Sequence, residues 1–178
     1  MCCVNSACAL DQLVRFGLLS SGSDSKKPSQ KIKSSGHWAC LPDAHLADLL
    51  CVKYDPYRDI RFSGWYDPGQ KGIVIFRFMD EWDFYQLLYH EIAHHVFDNV
   101  LSIDERYTWV NEISRSEGYV SSYALKNTQE DFAESYSQYV FGPAGLLEFQ
   151  AKLRFLNQVV FLGYIPNSFI LSRPLASS

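Results

Sequence analysis

Asp80-Glu81-Trp82-Asp83-Phe84-Tyr85-Gln86-Leu87-Leu88-Tyr89-His90-Glu91-Ile92-Ala93-His94-His95-Val96-Phe97-Asp98-Asn99 reads as one helix, and His90 to His94 within it spells H-E-x-x-H. The two histidines are four residues apart. At 3.6 residues per turn they share a face, about one turn (~6 Å) apart along the axis. That spacing lets two imidazoles converge on one metal ion, with the glutamate beside them able to act on a metal-bound water. The motif is short, so the rest of the chain must supply a third ligand, a strand and an oxyanion donor.

The neighbouring residues narrow the choice of third ligand. The longer pattern H-E-x-x-H-x-x-G-x-x-H requires glycine at 97 and histidine at 100, where this chain has Phe97 and Val100. His95 is rotated ~100° from His94 and cannot join the same site from a regular helix. Asp98 is on the right face but lies ~12 Å from His90 along the axis, too far for both to reach one ion. A carboxylate from a later helix remains. Thr128-Gln129-Glu130-Asp131 fits the capping pattern [ST]-x-x-[DE], which starts a helix there. Glu130 and Glu134 share one face of it, among Phe132, Ala133, Tyr136 and Tyr139. Such a pair alone is usually a solvated face. Beside H-E-x-x-H it reads as one metal ligand and one carboxylate holding a histidine N–H from behind.

At 178 residues the chain suits one domain with a sizeable core and an appendage. A formal charge of -4 gives no reason to expect nucleic acid, whose phosphates call for a basic surface. The apolar run Val159–Ile165 is far short of the ~20 residues that span a bilayer. No basic region precedes an apolar core at the N-terminus, so an ordinary signal peptide is not expected. The location is left open between the cytoplasm and export by a non-classical route. The five cysteines, Cys2, Cys3, Cys8, Cys40 and Cys51, are odd in number and confined to the first third, which suits reduced thiols better than a disulfide framework.

Two parts are expected. Residues 1–36 carry a short helical stripe (Leu10, Leu13, Val14, Gly17, Leu18) and a Ser/Lys-rich linker, Ser20 to Gly36. The compact domain spans 37–178. Within it, Pro42-Asp43 opens a short helix through about Val52, with Leu46, Leu49 and Leu50 inward. Strands are expected at Asp59–Trp65 and Gly72–Phe78, and helices at about Asp104–Glu117, Thr128–Val140 and Gly145–Val160. Few strands followed by helices give an α+β domain.

The segment Leu87 to Asp98, Tyr123 seven residues before Glu130, and Glu130-Asp131-Phe132-Ala133-Glu134 together resemble the metallopeptidase family of the anthrax lethal factor catalytic domain and the clostridial Pro-Pro endopeptidases. The resemblance covers roughly residues 60–141. It implies a zincin-like fold: a small sheet with an edge substrate strand, an active-site helix, and a C-terminal helical part carrying the third ligand. It implies one Zn²⁺ held by His90, His94 and Glu130, with Glu91 as general base. Tyr123 then faces the metal and assists the transition state, and Glu134 supports a ligand from behind. Gly64-Trp65-Tyr66-Asp67, read as a turn, and Gly72–Phe76, read as the exposed edge, resemble the family's substrate side. Ala93 stands where the family commonly has glycine, and the His94–Tyr123 spacing is somewhat short.

The function so implied is zinc-dependent hydrolysis of peptide bonds, in a monomer acting on a peptide or protein substrate. Glu91 would take a proton from the metal-activated water and return it to the leaving amine. The alternatives are a regulatory protease specific for one partner, a zinc-binding pseudoenzyme or interaction module, and an exported toxin or effector.

Overall fold

The β-branched run Ile73-Val74-Ile75 lies in the central strand of a three-stranded sheet, in a computed structural model that describes residues 41–55 and 61–166. Strand β1 is Cys51–Tyr54, β2 is Gly64–Asp67 and β3 is Gly72–Ile75, in the order β1-β3-β2. β1 runs parallel to β3, with Val52 opposite Ile73; β2 runs antiparallel, with Tyr66 opposite Ile73. Ile73 and Ile75 have no exposed surface, as β-branched side chains on a covered sheet face should. The β2–β3 turn is held by Asp67, whose Oδ1 accepts from the Gly69 N–H at 2.9 Å and the Gln70 N–H at 3.1 Å.

Three expectations change here. The Pro42–Val52 helix is only a 3-10 turn, Asp43–His45. Asp48 has φ 62°, in the left-handed region, which stops the helix. Leu46 and Leu49 are buried as expected, but Leu50 is 66% exposed, its N–H bound to the Lys71 carbonyl as the chain turns into β1. Second, β3 is central and not the exposed edge expected of Gly72–Phe76, because β1 pairs on its other side. The edge strand on the helix side is β2, and Gly64–Asp67 is strand rather than turn. Third, the expected Asp59–Trp65 strand lies partly outside the described residues, as does everything expected of residues 1–36.

Helix α1, Glu81–Asn99, starts at Asp80, whose Oδ1 accepts from the Asp83 N–H at 2.9 Å. Helix α2, Ile103–Thr108, opens on a complete capping box between Ser102 and Glu105 and widens into a π-type turn, Trp109–Ile113. Helix α3 is Thr128–Phe141 and ends at Gly142-Pro143. Its cap is Asn127 rather than Thr128; the Asn127 side chain accepts from the Gln129 and Glu130 N–H groups. The expected Gly145–Val160 helix is interrupted. Pro143–Leu146 is a 3-10 turn, and α4 begins only at Gln150, after Phe149 leaves the helical region with ψ 68°. α4, Gln150–Phe155, continues as a π-type turn, Leu156–Val160. These elements make a mixed α+β domain, and no helix among the described residues is long and apolar enough to cross a membrane.

The core lies between α1, α3 and the sheet. α1 and α3 run antiparallel: Trp82 stacks on Phe141, Ser137 Oγ donates to the Gln86 carbonyl, and Phe97 packs on Phe132. Phe132 also meets Trp109 edge-on at 5.1 Å, and the Trp109 indole N–H donates to the Thr128 carbonyl, so α2 braces the start of α3. From the far side, wholly buried Lys152 of α4 meets Asp131. A buried pair of this kind is expensive to break one partner at a time.

His45 pins the first turn to α3 and to the C-terminal turn. Its Nε2–H donates to the Val160 carbonyl at 2.9 Å, leaving Nδ1 to accept from the Tyr136 hydroxyl at 2.8 Å. Burial lowers its pKa to about 4, and burial also lowers that of His95. A histidine depressed in the fold contributes stability that is fully present above its unfolded value of ~6.5 and is lost as pH falls toward about 4. We expect the urea midpoint to fall between pH 6.5 and 4, and His45→Gln to flatten that fall. An unchanged slope in the variant would show that His45 does not carry it.

Candidate metal centre

The α1–α3 seam changes from apolar to polar at its middle. Four-residue steps along α1 (Gln86, His90, His94) meet steps of three and four residues back along α3 (Ser137, Glu134, Glu130). His90 Nδ1–H donates to Glu134 Oε1 at 2.8 Å, and His90 Nε2 stands 3.0 Å from Glu130 Oε2. His94 Nε2 stands 3.3 Å from the same oxygen. One ligand atom each from His90, His94 and Glu130 falls within a sphere of pairwise separations no larger than 4.8 Å. Ligands at ~2.0–2.1 Å from a tetrahedral ion stand roughly 3.3–3.4 Å apart, so this donor set fits a metal ion. Two imidazoles and a carboxylate suit a borderline divalent transition metal.

The electrostatics follow from this packing. Burial would lower the His90 imidazole, but hydrogen bonds to Glu130 and Glu134 overturn that and carry it up to about 9. Burial would raise Glu130, and hydrogen bonds from His90 and His94 overturn that and hold it at about 2. Glu134 is lowered too, against its burial, by hydrogen bonds from His90 and Ser121. Glu130 and Glu134 are thus kept ionised. His90 Nε2 is the atom at which a proton and a metal ion would compete.

Glu91 is 5% exposed and lies beside the cluster. Burial raises its pKa, while the two histidines and the Tyr66 N–H act to lower it. Strand β2 crosses it at Gly64. A Cβ there would stand 2.8 Å from Glu91 Oε1 and 2.9 Å from Leu87 Cδ1, so glycine is needed for the strand to pass this close. Tyr123 is 38% exposed, and its ring meets His90 edge-on at 5.6 Å. Lys126 Nζ sits 3.3 Å over the Tyr123 ring, a cation–π contact that limits how the ring can turn.

All six residues singled out from the sequence, His90, Glu91, His94, Tyr123, Glu130 and Glu134, therefore meet at one place. His95 points elsewhere: its Nε2 bonds the Ala47 carbonyl at 2.8 Å and its Nδ1 faces the Tyr66 hydroxyl at 3.3 Å, which fastens the first turn and β2 to α1. Two residues that shape the site, and the close approach of a third, Gly64, to Glu91, were not foreseen. Ser121 Oγ donates to Glu134 Oε2 at 2.7 Å, Lys126 covers Tyr123, and Gly64 admits Glu91. Only Lys126 carried a local signal, three residues after Tyr123 in a tight turn.

A divalent metal is expected to bind one ion per chain. His94→Ala and Glu130→Ala should each weaken it by more than the ~10–100-fold typical of losing an outer partner. Chelator competition reads this directly, and unchanged affinity in either variant would remove that residue from the donor set.

No family model, curated protein or solved structure matches the chain.

Proposed function

We propose that the chain is a zinc-dependent endopeptidase of zincin-like architecture, related to the lethal factor and Pro-Pro endopeptidase group. The observation that carries this is the meeting of His90, His94 and Glu130 at metal-ligand spacing with buried Glu91 beside them. When bound, zinc supplies Lewis-acid polarisation of a carbonyl and acidifies a water. The chain's own groups do the rest. Glu134 accepts the Nδ1–H hydrogen bond of His90, so Nε2 presents its lone pair to the ion. Glu91 takes a proton from the attacking water on its carboxylate and gives it to the leaving amine. A carboxyl pushed upward by burial suits both halves of that transfer. Tyr123 donates its O–H to the oxygen on which charge develops.

The substrate side is the edge of β2 that faces away from β3. Among the described residues β2 pairs only with β3, and Gly64 brings that edge against Glu91. An extended peptide can add to such an edge through main-chain hydrogen bonds. Phe62 and Trp65, 47% and 49% exposed and in edge-to-face contact, stand beside it as an apolar surface for substrate side chains. The positions of Glu91 and Tyr123 favour catalysis over a purely structural site, which needs neither.

The test is a diverse peptide library with the zinc-loaded full chain. Glu91→Ala should retain one zinc and lose cleavage. Tyr123→Phe should lower kcat by roughly 10²–10³-fold with zinc content unchanged, the usual loss on removing an oxyanion donor. Cleavage by Glu91→Ala at the wild-type rate would overturn the assignment of the base. Zinc binding with no cleavage of any peptide or protein would leave a binding module.

A further inference from the structure

We propose that Ser121 is a positioning residue that couples the Tyr123 loop to metal-ligand His90 through Glu134. The inference rests on the metal-site reading above. Each oxygen of the Glu134 carboxylate has its own partner. Oε1 accepts from His90 Nδ1–H at 2.8 Å, and Oε2 accepts from the Ser121 hydroxyl at 2.7 Å. Two partners on opposite oxygens fix the rotation of the carboxylate, where one alone would let it swing about its last bond. Glu134 in turn fixes the ring plane of His90, and that plane sets where Nε2 points.

Ser121 is itself held. Its Oγ accepts from the Ala124 N–H at 3.1 Å, so one hydroxyl uses its donor on the ligand helix and its acceptor on the turn that follows Tyr123. The turn is closed by the Lys126 N–H on the Tyr123 carbonyl. Tyr123, between Ser121 and Ala124 hydrogen-bonded across it, is thereby placed relative to His90, whose ring it meets at 5.6 Å. The same serine thus sets two distances: Glu134 to His90, and Tyr123 to the metal ligands. Ser121 touches neither metal nor substrate, so it acts through Glu134 and the turn. A threonine would keep the hydroxyl, and alanine would leave Glu134 Oε2 and the Ala124 N–H without their partner.

The experiment is a double-mutant cycle on the full chain, reading zinc affinity by chelator competition with zinc alone as the probe. Ser121→Ala should weaken zinc by roughly 10-fold, at the low end for an outer partner, and Ser121→Thr should restore it. Ser121→Ala added to Glu134→Ala should cost nothing further, because the first acts through the second. On a peptide that the wild type cleaves, Ser121→Ala should lower kcat and leave KM unchanged. If Ser121→Ala does not fold, Ser121→Cys, similar in size with a weak donor, takes its place in the same cycle. Wild-type zinc affinity in the variant, failure of threonine to restore it, or a full additive loss in the Glu134→Ala background would each overturn the role of Ser121. Those outcomes leave the metal site standing, whereas a wild type that binds no zinc removes the site and this role together.

Discussion

Helices α1 and α3 pack antiparallel, and the depth of that packing sets the distance at which His90 and His94 meet Glu130 and Glu134. Aromatic and aliphatic side chains fill the seam on both sides of the polar stretch: Trp82, Tyr89 and Phe141 at one end, Phe97 and Phe132 at the other. Interiors at this density do not slide or open by fractions of an ångström without cost, so the ligand atoms inherit their spacing from apolar neighbours. The sheet, α2 and α4 all bear on this seam. His95 and Asn99 fasten β2 and the first turn to α1. Trp109 and Lys152 fasten α2 and α4 to α3.

Glu91, Glu130 and Glu134 crowd around two imidazoles at the middle of this seam. Buried carboxylates are costly unless paired or hydrogen-bonded. Here His90 answers two of them, Ser121 a third oxygen, and the Tyr66 N–H reaches Glu91. Such a concentration of acceptors, with Lys126 committed to the Tyr123 ring, is a setting in which a dication is the natural counter-charge. It also sets chemically similar residues apart in their protonation. Glu130 is held at about 2, while Glu91, buried nearby, is pushed upward. A permanent anion suits a ligand, and a carboxyl that can take a proton suits a base.

The site was easier to read from the chain than the fold around it. H-E-x-x-H and E-x-x-x-E follow the helical period, and a helix of fixed pitch converts spacing directly into geometry. Their meeting across the seam required only that both faces turn inward. The sheet was harder. Cys51–Tyr54 is too short to show alternation, and Leu46, Leu49 and Leu50 mimic a helical stripe that the left-handed Asp48 cuts off. Strand order could not be read locally, since it depends on β1 joining β3 across a connection that passes through β2. Ser121, and the packing of Gly64 on Glu91, escaped notice for the same reason: a hydroxyl or a missing Cβ acquires meaning only from what stands opposite it in space.

The claim on which everything else depends is that His90, His94 and Glu130 hold one metal ion together. X-ray absorption at the zinc edge of the loaded protein tests it most directly. The expected spectrum contains two imidazole nitrogens at ~2.0–2.1 Å and carboxylate and water oxygens at ~2.0–2.2 Å, with no sulfur. A sulfur scatterer at ~2.3 Å, a single imidazole, or a spectrum unchanged in Glu130→Ala would contradict it.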